Sequence, residues 1–133
     1  MYNTILVPLD GSKRAEAILP HIEQMVQHCN SEVVFILVEE RTLLLERNEI
    51  VDLSVYKQNL AKWEKEVQAY LDERKKEFSD KGIKARTVTA HAPVVKAILS
   101  AAKNENADII AITSHGVTSL SRSSYGSVAA GIL

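Results

Sequence analysis

Two uninterrupted apolar runs, Ile5-Leu6-Val7-Pro8-Leu9 and Val33-Val34-Phe35-Ile36-Leu37-Val38, stand on either side of a helical pattern. Each has the length of a strand and lacks the polar alternation of a strand wetted on one face. Both therefore belong in the middle of a sheet covered on its two sides, which is the situation of parallel strands joined by crossover helices. Pro8 places the end of the first strand close by, because proline donates nothing to a neighbour. Asp10-Gly11-Ser12 is a turn tripeptide, with Ser12 as N-cap of the following helix. In that helix Ile18, Ile22, Met25, Val26 and Cys29 form one stripe, and Pro20 predicts either a bend or a helix that effectively begins nearer Pro20. Asn30-Ser31 is expected to end it.

Beyond Glu39-Glu40 the period dissolves. Arg41 to Leu53 carries a Leu43-Leu44-Leu45 patch among charges and fits a flexible excursion, a short helix or a partner-binding segment equally well. From Ser54 a long helix is expected: Tyr56, Leu60, Trp63, Val67, Tyr70, Leu71, Arg74 and Phe78 keep helical spacing, and charges fill the other faces. Gly82 closes it. Ile83 to Thr89 alternates, which suits a strand nearer the sheet edge. Ala90-His91-Ala92-Pro93 is expected to be a turn with Pro93 at the first helical position. Val94, Val95, Ile98, Ala101 and Ala102 supply the stripe of the next helix, and Asn104 to Asn106 stop it.

The last segment runs from Ile109 to Val128. It is expected to be a buried strand through Ile112, a loop rich in hydroxyls, and a helix opening near Ser123 or Ser124. A strand-to-helix turn exposes peptide N–H groups at the positive end of a helix dipole, and Gly116 and Gly126 allow close approach of an anion, best a phosphate. Arg122 inside the loop can pair with that anion or point into water. An ordinary connection that happens to be rich in Ser and Thr is the competing reading.

Four alternations of strand and helix predict a three-layer α/β/α architecture with a mostly parallel sheet, Rossmann-like, within one domain spanning residues 1–133. Ligands of such sheets sit beyond the carboxyl ends of strands where the connection order reverses, here the ends carrying Asp10, Val38 and the Thr113 to Gly116 turn. A net charge of −1, with Lys and Arg interleaved with Glu and Asp, gives no basic stripe for nucleic acid. No apolar run reaches bilayer length and the N-terminus lacks a signal peptide's features, so a cytoplasmic protein without a membrane partner is expected. Cys29, the sole cysteine, is expected to be a buried thiol. His21, His28, His91 and His115 are too scattered for a metal site.

Taken together, Ile5-Leu6-Val7-Pro8-Leu9-Asp10-Gly11-Ser12, Asp108-Ile109-Ile110-Ala111-Ile112-Thr113-Ser114-His115-Gly116 and Gly126-Ser127-Val128 resemble the universal stress protein family over essentially the whole chain. Its nucleotide-binding members share a motif of glycine, two residues, glycine, nine residues, then glycine followed by Ser or Thr. Gly116, nine intervening residues and Gly126-Ser127 match it, while Thr113 stands where the motif has its first glycine. The resemblance implies a fold like that of adenine nucleotide alpha hydrolases and an ATP-like ligand, possible Mg2+ being held mostly by the phosphates. It also implies that Pro8, Leu9, Asp10 and the main chain at Val38 meet the nucleoside end. Ile112, Thr113, His115 and Gly116 would pass along ribose and phosphates, with Arg122, Gly126, Ser127 and Val128 at the phosphates. Family members usually continue into a fifth strand that completes the sheet and often forms the homodimer contact, and the sequence given stops before it.

Three functions fit these residues. The first is a stress-response regulator that binds an adenine nucleotide, as a homodimer. The second is a family member without nucleotide, acting as a protein interaction module through Leu43 to Leu45 and the dimer surface. The third is a slow ATPase, for which Arg122 and His115 are the candidates to stabilise charge, although no general base stands out. A P-loop is excluded by the missing Gly-Lys-Ser ending, and a phospho-receiver by Thr89-Ala90-His91 where its aspartate would stand.

Overall fold

The computed structural model describes residues 3–27, 29–39 and 52–113. Strands and helices alternate as β1 (Thr4–Pro8), α1 (Lys13–Glu16), α2 (Leu19–Gln27), β2 (Glu32–Glu39), α3 (Leu53–Ser79), β3 (Lys84–His91), α4 (Val94–Asn104) and β4 (Ile109–Ile110). The strands form one parallel sheet in the order β3-β2-β1-β4. Ile5, Leu6 and Val7 of β1 and Val33 to Ile36 of β2 are completely buried on both faces, as the unbroken runs require. Burial of each such side chain favours folding by roughly 1.5–3 kcal/mol.

Side-chain alternation separates the two faces. Phe35 meets Phe78 of α3 edge to face, with ring centroids 5.0 Å apart, and its register partner Thr87 accepts from Gln68 of α3 at 3.2 Å. Arg86, one residue along, turns the opposite way and pairs with Glu105, just past α4, at 2.7 Å. Glu16 of α1 and Glu23 of α2 both pair with α3 or its end, through Arg74 at 2.9 Å and Lys81 at 2.7 Å. Helices α1 to α3 thus cover one face and α4 the other, the arrangement that right-handed crossovers produce in this strand order. Among the described residues no helix is long and apolar enough to cross a membrane.

Local signals set most boundaries. Ser12 caps α1, its Oγ accepting from the Ala15 N–H at 3.1 Å. The chain breaks at Ala17–Ile18 and restarts as α2 with Pro20 in the first turn, where a missing N–H costs nothing. Helix α3 begins at Leu53, one residue ahead of the expected start, because Asp52 caps it by accepting from the N–H groups of Ser54 and Val55.

Four expectations are corrected. Ala90 and His91 continue β3 instead of turning, because they stay in register with Val38 and Glu39, and Pro93 is the extended N-cap of α4, with Val94 the first helical residue. Helix α2 ends at Gln27, ahead of Asn30-Ser31. Cys29, past the last residue of α2, is half-buried rather than buried. Strand β4 is shorter than the apolar run and half-buried, pairing among the described residues with β1 alone. Leu43 to Leu45, the hydroxyl-rich loop and the final helix lie outside the described residues.

Candidate functional site

The strand order places the site. From β1 the chain steps outward to β2 and β3, then returns across the sheet to put β4 on the other side of β1. Strand order therefore reverses between β1 and β4, and in open α/β sheets the carboxyl ends of the strands at such a point are where ligands bind.

At the β1 side, Pro8 ends the ladder opposite Ile36, and the buried Leu9 donates its N–H to the Ile36 carbonyl at 2.8 Å. Asp10 follows, half-buried. Its Oδ1 accepts from the Ser12 N–H at 2.8 Å, and Gly11, at φ +84°, supplies the left-handed bend between them. Among the described residues Oδ2 makes no hydrogen bond, while Oδ1 is held by the turn.

Register also aims the main chain at Val38. Successive peptide groups of a strand point to opposite sides. The Ile36 carbonyl accepts from β1, and the Glu39 carbonyl accepts from Ala92 on the β3 side at 2.7 Å. By that alternation the N–H and C=O of Val38 face the β1 side, two residues beyond the last β1–β2 register pair. On the other flank the Ala111 N–H donates to the Leu6 carbonyl at 2.9 Å, and Ile112 and Thr113 follow, both half-buried. The fold thus brings Pro8, Leu9, Asp10, Val38, Ile112 and Thr113 to the same edge of three neighbouring strands. His115, Gly116, Arg122, Gly126, Ser127 and Val128 lie outside the described residues.

A second polar group lies at the end of α1, the helix that follows the Asp10 turn. The Tyr70 hydroxyl donates to Glu16 Oε2 at 2.8 Å, and Arg74 Nη1 donates to Glu16 Oε1 at 2.9 Å. Arg74 also lies 5.1 Å from the Tyr70 ring centroid and pairs with Glu77 at 3.0 Å, while its enclosed Nε has no acceptor. Burial first, then the hydrogen bond and charge of Glu16, push the Tyr70 phenol well above tyrosine's usual range; Asp10 adds to the push and Arg74 opposes it. Tyr70 and Arg74 were expected only as members of the apolar stripe, and Glu16 was not singled out. The available signal was a tyrosine and an arginine at i, i+4 on a face otherwise given to packing.

Grooves of about 440 Å3 between β3 and α4 and about 450 Å3 beside Cys29 and Lys81 include none of Asp10, Val38 or Thr113. The described residues hold no cluster of three or more His, Cys, Asp or Glu suited to a metal ion.

Comparison with known proteins agrees with this topology. The universal stress protein MJ0577 of Methanocaldococcus jannaschii is 28% identical over 146 aligned residues, which take in 100% of this chain and 89% of that protein. A solved structure of MJ0577 superposes with a TM-score of 0.78 at 29% identity, over 99% of this chain and 88% of that one. The universal stress protein UspA from Lactobacillus plantarum gives 0.77 at 19% identity, over 97% and 88% of the two chains. A universal stress protein in complex with cAMP gives 0.65 at 18%, over 98% and 89%. The model of the Universal stress protein family matches residues 1–133, and the chain therefore belongs to that family.

Proposed function

We propose that this protein binds an adenine nucleotide of the ATP kind at the carboxyl edge around β1 and β4, and acts as a cytoplasmic stress-response regulator, as a homodimer, through shape and partners. The observation that supports the reading is that Asp10, with one carboxylate oxygen unbonded among the described residues, and the β1-facing peptide group of Val38 lie at the carboxyl ends of adjacent strands beside the point where strand order reverses. A relative of the same fold is a cAMP complex, which supports the ligand class.

Charge orients the ligand. An aspartate repels phosphate, so Asp10, with Pro8, Leu9 and the Val38 main chain, takes the nucleoside end and accepts from a ribose hydroxyl. Ile112, Thr113, His115 and Gly116 lead away along the ribose and phosphates. Arg122 and the N–H groups of Gly126, Ser127 and Val128 meet the phosphates, where a bound Mg2+ would rest on phosphate oxygens.

A second reading is favoured by Thr113, whose Cβ stands where the family's motif has glycine: a member without nucleotide that serves as an interaction module. Mass spectrometry of small molecules released on denaturing natively purified protein decides between them, together with calorimetry. An adenine nucleotide at near-stoichiometric yield supports binding. Its absence, with no heat from ATP, ADP or cAMP at about millimolar concentration (Kd of 1 mM is about −4.1 kcal/mol), overturns the first reading and leaves the second.

A further inference from the structure

The helix that leaves the Asp10 turn is too short to hold itself. Helix α1 is four residues long, Lys13–Glu16, and a single helical turn has no stability of its own. Its start is fixed by Ser12, and its end by Glu16, whose two carboxylate oxygens are taken separately by Tyr70 at 2.8 Å and Arg74 at 2.9 Å. Arg74 is itself held by Glu77 and Glu73, and its side chain is 14% exposed, so it offers Glu16 a guanidinium with little freedom to move.

We propose that Tyr70 and Arg74 are positioning residues for Asp10. By gripping Glu16 they hold α1, and α1 holds the Asp10-Gly11-Ser12 turn that aims the free carboxylate oxygen at the ligand. This rests on the adenine nucleotide reading above and assigns to α3 the setting of that site. The other tie between the helices, Lys81 to Glu23, joins the far end of α3 to α2 and has no link to the turn. It serves as the internal control.

The test is a double-mutant cycle on the full chain, read by calorimetric titration with ATP. Tyr70→Phe is expected to weaken ATP binding about fivefold, the loss of one hydrogen bond to a charged group relayed through the turn. Asp10→Ala weakens it about tenfold or more. The double variant binds no more weakly than Asp10→Ala alone, because Tyr70 acts through Asp10. Lys81→Ala leaves affinity unchanged. Should Tyr70→Phe not fold, Glu16→Gln replaces it in the same cycle. Equal factors for Tyr70→Phe with and without Asp10, no effect of Tyr70→Phe, or an equal loss from Lys81→Ala overturns the positioning role while the nucleotide reading stands. A wild-type chain that takes up no ATP overturns both.

Discussion

The Ala111 N–H donates to the Leu6 carbonyl at 2.9 Å, carrying β4 past its two ladder residues along the flank of β1. This contact puts the residues after Ala111 beside the end of β1, so Thr113 and Asp10 leave the sheet from neighbouring strands. The reversal of strand order thus sets the Asp10 carboxylate and Thr113 at the carboxyl ends of adjacent strands.

On the proposed nucleotide reading, replacing Thr113 with glycine removes a Cβ from the proposed path of the phosphates and frees the backbone for closer approach. Thr113→Gly is expected to raise ATP affinity about tenfold, equivalent to about 1.4 kcal/mol, measured by calorimetry. Unchanged or weaker binding would mean that the threonine side chain contributes a contact of its own.

Phe78 anchors α3 to the sheet. It is completely buried and stands edge-on to Phe35, so its truncation leaves both a cavity and an unpartnered ring. Phe78→Ala should cost about 3–5 kcal/mol in urea-induced unfolding. A loss below about 1 kcal/mol would contradict the packing described, since even Ile→Val at a buried site reaches that order.

Stability should fall at alkaline pH through Tyr70. Burial, assisted by Glu16 and Asp10, keeps the folded phenol protonated above the pH at which the unfolded phenol ionises, about 10. Above that pH the folded state binds more protons than the unfolded one, so the contribution is complete below about pH 10 and is lost as pH rises toward the folded value. Tyr70→Phe removes this component. Urea midpoints compared at about pH 9 and about pH 11, on either side of that value, should fall more steeply for the wild type; parallel slopes would refute the assignment.

Gly82 closes α3 with a left-handed backbone, at φ +77°, and its N–H and that of Ile83 bond back to Ser79 and Phe78. Nothing lies within 4 Å of where a Cβ would stand, so backbone strain alone opposes substitution. Gly82→Ala is expected to cost about 1–2 kcal/mol in thermal unfolding. ATP affinity should stay unchanged, since Gly82 precedes β3 at the end of the sheet opposite Asp10. A change in affinity would show that the two ends are coupled.

What could be read in the sequence was whatever depends on near neighbours. The apolar runs at Ile5 and Val33 marked strands covered on both faces, Ser12 marked a cap, Pro20 a restart, and the spacing of Val67, Leu71 and Phe78 a long packed helix. Each signal is a local preference that survives in the folded chain. Asp10 was legible as a candidate for the same reason, because a strand, a turn and a cap are consecutive in the chain.

Tertiary structure decided the rest. Ala90 and His91 extend β3 because Val38 and Glu39 are there to pair with, a fact that no local pattern carries. The direction of the Val38 peptide group follows from its register against two neighbouring strands. Glu16 meets Tyr70 and Arg74 across 54 and 58 residues of chain, and only the shared sheet face makes them neighbours. The periodicity of a sequence specifies which side of an element is buried. Which element lies against that side is settled by long-range pairing, whose partners are chosen when the sheet assembles.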